Sequence, residues 1–173
     1  KMRIIDRAIL LITGLLAAFQ VVVGIEGKVP LALIAYTVAF GILLIAGLLL
    51  IILGFDILEN DAVVILSTLI PLGLSTGLVV EYFPQFVTPY LIFVILGLIF
   101  VVSSRLLAPG KAASFFLMIV HGISGLLIFG LPIYLSLRGQ TPLIFVLVGV
   151  GGGLIGIAGL LLSFLKAGHP LLS

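Results

Sequence analysis

The sequence has no cysteine, no tryptophan and little charge of either sign. Without cysteine the chain can form no disulfide, no thiolate metal site and no cysteine nucleophile. Lys, Arg, Asp and Glu together make up 8% of the residues, whereas 63% are hydrophobic and the mean hydropathy is +1.55. A chain with so few charged side chains cannot cover a water-exposed surface. The composition therefore predicts an integral membrane protein.

Six apolar runs are each long enough to cross a bilayer as a helix, since ~30 Å of hydrocarbon takes ~20 residues at 1.5 Å per residue. The linkers between them are short and hold nearly every charge, so we expect no separate aqueous domain and a single transmembrane domain over residues 1–173. The predicted spans are residues 8–25, 30–54, 62–80, 89–107, 113–136 and 142–165.

One pattern occurs more than once in the chain. The segment PLALIAYTVAFGILLIAGLLLIIL at residues 30–53 returns as PLIFVLVGVGGGLIGIAGLLLSFL at residues 142–165, which is 112 positions later. A step of half that interval, 56 residues, from the two glycines of the first segment also reaches small residues, which indicates a middle copy. We therefore predict three tandem two-helix units, at about residues 6–61, 62–117 and 118–173, related by a pseudo-threefold axis along the membrane normal. The even-numbered helices are expected inside the bundle.

Small residues are the predicted helix contacts, because helices in lipid gain from close backbone approach rather than from hiding hydrocarbon from water. The last span also contains two overlapping GxxxG pairs, for which we expect internal packing, with docking of a second copy or another subunit as the alternative. The predicted packing positions are Gly41, Gly47, Gly97, Ser103, Gly149, Gly152, Gly153, Gly156 and Gly159.

The basic residues predict the topology. If six spans alternate, six of the eight Lys and Arg residues share one side, which the positive-inside rule assigns to the cytoplasm together with both termini. The loop at residues 55–61 is acidic, but acidic residues count little in that rule. With a formal charge of +2 and no basic patch, no nucleic-acid partner is expected. The six basic residues on the predicted cytoplasmic side are Lys1, Arg3, Arg7, Arg105, Lys111 and Lys166, and the two on the other side are Lys28 and Arg138.

His121 lies near the middle of the fifth span, where an ionisable side chain is costly. We expect a ring that points inward and is hydrogen-bonded within the bundle. The alternative is a cofactor ligand for haem or a chlorophyll-type pigment, since Gly122 and Gly125 would leave room for a flat ring. Zinc would need three or four ligands, and His169 belongs to the tail, so no metal site is predicted.

The remaining polar residues point away from catalysis and ion transport. Gln20, Ser75 and Thr76 occupy similar levels near span ends and are expected to hydrogen-bond between helices, at ~0.6 kcal/mol each. No charged residue lies deep in a predicted span, which argues against an ion-coupled transporter. The glycines of residues 149–156 lie in mid-membrane and not after a strand, and Ser124 has no intramembrane acid for a triad, so we expect no enzyme and no catalytic residues.

The repeat openings ITGLLAAF and HGISGLLIFGLP, with the closings FGILLIAGLL and GGLIGIAGLL, resemble the short repeat of the HdeD family of bacterial acid-resistance membrane proteins. The resemblance covers the whole chain in architecture, and the middle copy departs from it most. It implies a six-span protein of the cytoplasmic (inner) membrane linked to acid stress, with no catalytic residues to carry over.

Three functions follow as hypotheses. The first is an HdeD-like protein of stress response or membrane integrity, acting alone or as a homo-oligomer. The second is an accessory subunit of a larger membrane complex, with lipid or pigment between its helices. The third is a channel or facilitator for a small neutral solute. Lipid is the expected partner in each case, and no other cofactor is predicted beyond the haem or pigment alternative at His121.

Overall fold

The computed structural model describes residues 3–24, 29–107 and 110–166, with side chains described up to residue 157. Within those ranges the chain is helical and has no strand, which confirms the all-α part of the predicted fold class. Six long helices match the six predicted spans, with ends that differ by a few residues. They are α1 (Ile4–Val23), α2 (Pro30–Leu53), α3 (Asp61–Tyr82), α4 (Val87–Leu107), α5 (Lys111–Leu137) and α6 (Val146–Lys166).

Five of these helices, α1 to α5, are long and apolar enough to cross a membrane, as judged by length and composition. The segment Leu143–Ile157 contains the first part of α6 and stops at the last residue whose side chain is described. It is apolar but shorter than the five helices above. Many large apolar side chains on these helices are exposed, including Ile4 at 89%, Leu107 at 82% and Ile155 at 76%. Such a surface fits surroundings of lipid and not of water.

Local signals in the sequence set the helix ends. Pro30 opens α2 at a position where no amide donor is needed. The side chain of Asn60 caps α3 by accepting hydrogen bonds from the backbone N–H groups of Ala62 and Val63, at 3.0 and 3.4 Å. Gly54 ends α2 with a positive φ of 80°, a conformation that glycine adopts without a steric penalty.

The chain separates into two compact units, Lys1–His121 and Gly122–Ser173, called unit 1 and unit 2 below. The boundary falls inside α5, which is a continuous helix. In unit 1, α1 packs on α2, α2 on α3, and α3 on α4. A core cluster of Leu72, Val101 and Val120 joins α3, α4 and the first part of α5.

The most buried helix of unit 1 is α3, which differs from the expectation that even-numbered helices lie inside. In its most apolar stretch 44% of the residues are buried, against 17% in α2 and 11% in α4. The reason lies in the small and hydroxyl-bearing side chains of α3, which allow neighbours to approach on two faces. Its buried residues are Thr68, Leu72, Ser75, Thr76, Gly77, Leu78, Val79 and Val80.

Candidate functional site

His121 is half-buried on α5, in the part that belongs to unit 1. Its Nδ1 lies 3.1 Å from the carbonyl oxygen of Leu117, one turn earlier in the same helix. A carbonyl oxygen can only accept, so Nδ1 carries the proton and donates it. The ring is therefore hydrogen-bonded to the backbone of its own helix and not to a side chain of a neighbouring helix, and the expected inward orientation stays a prediction.

The second ring nitrogen of His121, Nε2, is in a different situation. In the described part of the chain, the ring of His121 makes one hydrogen bond, from Nδ1 to the carbonyl oxygen of Leu117. Among the described residues, Arg105 Nε is the side-chain nitrogen or oxygen atom that is fully buried and has no hydrogen-bond partner. Because His121 Nε2 also has no partner there but is not fully buried, it reaches the surface of the protein. With Nδ1 protonated, Nε2 of an uncharged ring holds a free lone pair.

A hydroxyl-lined face of α3 turns toward α4. Tyr90 donates a hydrogen bond of 2.6 Å to Ser75 Oγ, and Ser75 in turn donates to the carbonyl oxygen of Pro71 at 2.5 Å. Thr76 and Thr68 also donate to carbonyls of their own helix, at 2.6 and 2.8 Å. Ser75 was expected to bond between helices and does so through Tyr90, whereas the hydroxyl of Thr76 stays within α3.

The opposite face of α3 turns toward α2. Tyr36, which is 8% exposed, lies in a cluster with Ala32 and Val80. Its hydroxyl donates to Glu81 Oε2 at 3.3 Å, so the carboxylate at the end of α3 is held by a residue of the preceding helix. No role was predicted from the sequence for Tyr36, Glu81 or Tyr90.

The closest helix crossing in unit 1 was also missed. A Cβ built on Gly73 would lie 2.7 Å from the carbonyl oxygen of Ala35 and 3.0 Å from the Cβ of Ala39, and one on Gly77 would fall against the ring of Tyr36. Gly73 and Gly77 are four apart and form a GxxxG pair, in which Gly73 faces Ala35 and Ala39 and Gly77 faces the ring of Tyr36. That spacing was the signal that could have identified the α2–α3 contact.

Four of the predicted packing positions lie close to a neighbouring helix. A Cβ on Gly97 would stand 2.9 Å from a methyl of Val120, within unit 1. In unit 2, one on Gly149 would stand 2.5 Å from the carbonyl oxygen of Phe129. Gly152 and Gly153 face Ile128 and Phe129 at 2.7 and 2.8 Å, but there the neighbours are side-chain atoms, which can move more easily.

The other predicted positions show no such contact. A Cβ on Gly41 or Gly156 would meet nothing within 4 Å among the described residues, and one on Gly47 would make an ordinary contact of 3.9 Å with Leu10. Gly41 lies two residues from Ala39, about 200° around the helix, and so points away from the α3 contact. Ser103 is half-buried, whereas its neighbour Ser104 is buried. The side-chain surroundings of Gly159 lie outside the described residues.

One ion pair joins the ends of two helices. Arg105, near the end of α4, donates a hydrogen bond of 2.8 Å to the carboxylate of Asp61, which begins α3. The guanidinium is 21% exposed and the carboxylate 51%. This pair gives the acidic loop at residues 55–61 a basic partner from another helix, which the sequence order does not reveal.

The described residues contain no group of three or more His, Asp or Glu side chains that could hold a metal ion. No protein-family model matches the sequence, and neither a curated protein nor a solved structure shows significant similarity to it.

Proposed function

We propose that this chain is a non-enzymatic multi-pass protein that supports membrane integrity under stress, as its resemblance to the HdeD family implies. The observation that carries the proposal is the use of polar groups inside unit 1. The hydroxyls of Thr68 and Thr76 donate to carbonyls of their own helix, and Ser75 and Tyr90 tie α3 to α4. These contacts give the hydroxyl groups partners within the helix packing, while the exposed surface is largely apolar.

The finer architecture is part of the same proposal. Six spans form one domain of three tandem hairpins related by a pseudo-threefold axis, in the cytoplasmic membrane, with both termini in the cytoplasm. The Arg105–Asp61 pair supports the alternation of spans, because it joins the end of α4 to the start of α3.

The topology can be tested with single cysteines, since these 173 residues contain none to interfere. Gln85 lies in the loop that would face outward, and Asp56 in one that would face the cytoplasm; both are exposed. In intact cells a membrane-impermeant maleimide should label Gln85→Cys but not Asp56→Cys, and lysis should make both reactive. Labelling of Asp56→Cys alone in intact cells would reverse the proposed orientation.

The function is tested in cells that lack the gene. Such cells should survive an acid challenge less well and take up a membrane-impermeant dye faster than the parent strain. The wild-type chain should restore both properties. A Gly73→Leu variant, which forces a side chain into the α2–α3 crossing, should restore neither, whereas Gly41→Leu should restore both because that position is open. Unchanged survival and dye uptake in the deletion strain would reject the proposal.

A second candidate, an accessory subunit of a larger membrane complex, is favoured by one surface. On α6, a Cβ on Gly156 would meet nothing within 4 Å among the described residues, and its neighbours Leu154 and Ile155 are 63% and 76% exposed. An apolar helix surface that contains an exposed glycine suits close approach by another helix. Native mass spectrometry after mild detergent extraction separates the two candidates: foreign polypeptides at fixed stoichiometry support the subunit, and a monomer or homo-oligomer with lipid supports the first proposal.

A further inference from the structure

The unpaired nitrogen of His121 is the polar group that the proposed function leaves unexplained. His121 is the eleventh residue of the 27-residue helix α5, which places it about 15 Å from the start of the helix and near the middle of ~30 Å of hydrocarbon. At that depth no water is available to satisfy an exposed lone pair, and an unsatisfied polar group costs several kcal/mol. A histidine that reaches the surface there needs a partner that lies outside the described residues.

The hydrogen bond at Nδ1 resembles the arrangement of a metal-ligating imidazole. Such histidines donate the N–H of one ring nitrogen to a carboxylate or a backbone carbonyl, which fixes the ring and its tautomer and leaves the other nitrogen for the metal. The Nδ1 to Leu117 contact of 3.1 Å fixes the ring of His121 in this way. The hydrogen bond to Leu117 therefore also fixes the orientation of Nε2, which has no protein partner among the described residues.

The surroundings suit a flat, apolar ligand better than a bare metal ion. The described residues supply no cluster of further ligands that a zinc ion would need. A metallo-tetrapyrrole needs a single axial nitrogen from the protein, because its macrocycle supplies the other donors. The helix surface beside the ring includes Met118, three residues earlier on the same helix, which is apolar and 62% exposed.

We propose that Nε2 of His121 is the axial ligand of a metallo-tetrapyrrole, either a haem or a chlorophyll-type pigment, bound on the surface of α5. The inference does not rest on the proposed role in membrane integrity, and either can fail without the other. A contact of Nε2 with a second copy of the chain is the competing explanation for the unpaired nitrogen.

The test uses the full-length protein in lipid nanodiscs, titrated with ferric protoporphyrin IX and, separately, with zinc protoporphyrin IX. Wild type should bind one equivalent with a sharpened, shifted Soret band. His121→Asn should bind roughly tenfold more weakly or worse, since it removes the axial nitrogen. Met118→Leu is the matched control, because it changes an exposed residue on the same helix surface and should bind as wild type does. His121→Met should restore ligation of the iron compound with a different spectrum, which keeps the test valid if the asparagine variant folds poorly.

Each outcome decides the question. Binding of the iron compound that depends on His121 supports a haem, and His121-dependent binding of the zinc compound alone supports a five-coordinate pigment. Equal uptake by wild type and His121→Asn shows partition into the lipid only and overturns the proposal. Absence of binding to wild type overturns it as well, as does a homodimer that the asparagine change abolishes while tetrapyrrole uptake stays the same.

Discussion

Replacing Gly73 with alanine tests the α2–α3 crossing most directly. The added Cβ would stand 2.7 Å from the carbonyl oxygen of Ala35, about 0.7 Å short of an ordinary contact of 3.4 Å, and 3.0 Å from the Cβ of Ala39. The first of these atoms is backbone, so the two helices must move apart. Overpacking of this kind costs about 1–3 kcal/mol, and we expect the upper half of that range because no side-chain rotation can relieve it.

Helix propensity acts in the opposite direction and needs a matched control. A helical Gly→Ala change gains up to about 1 kcal/mol wherever space allows. Gly41→Ala, in the helix that faces Gly73, is the suitable comparison, since its Cβ would meet no described residue within 4 Å. The propensity gain then cancels, and the difference between the two variants measures the packing cost, which we expect to be about 2–3 kcal/mol.

The assay is unfolding in mixed micelles with increasing SDS, followed by far-UV circular dichroism because the chain has no tryptophan to report by fluorescence. Gly73→Ala should unfold at a lower SDS fraction than wild type, and Gly41→Ala at the same or a higher fraction. Equal midpoints for the two variants would refute the close approach of α2 and α3.

Three further predictions follow from contacts in both units. In unit 2, Gly149→Ala should destabilise the pairing of α5 and α6 by about 1–3 kcal/mol, because its Cβ would stand 2.5 Å from the carbonyl oxygen of Phe129; Gly156→Ala, in the same SDS titration, should not. Tyr90→Phe should cost about 0.6 kcal/mol by loss of the bond to Ser75, whereas Tyr134→Phe, at an exposed position, should leave the midpoint unchanged. Asp61→Asn should cost less than about 1 kcal/mol because the carboxylate is 51% exposed; a difference that persists in high salt would contradict a screened surface pair.

Burial separates two kinds of glycine that a repeat comparison treats alike. Gly41 and Gly97 occupy equivalent positions of the proposed repeat, yet a Cβ on Gly97 would meet Val120 at 2.9 Å, whereas one on Gly41 would meet nothing within 4 Å in the described part of the chain. A glycine marks a crossing only when the helix turns that side toward a neighbour. The packing side of α2 is instead given by Ala32, Tyr36 and Ala39, of which the first two belong to the cluster with Val80.

The sequence by itself determined that the protein is built from long apolar helices, because hydropathy acts locally. A run of about 20 apolar residues must satisfy its own backbone as a helix in hydrocarbon, whatever its neighbours are. The position of His121 near mid-span follows from the same count along the chain. Only the tertiary structure decided which helix is most buried, which glycines are covered and where polar groups find partners. The pairs Tyr90–Ser75, Tyr36–Glu81 and Arg105–Asp61 join residues 15, 45 and 44 positions apart. Such pairs depend on the rotation of each helix about its axis, and helices as uniformly apolar as these have no strong amphipathic pattern from which that rotation can be read.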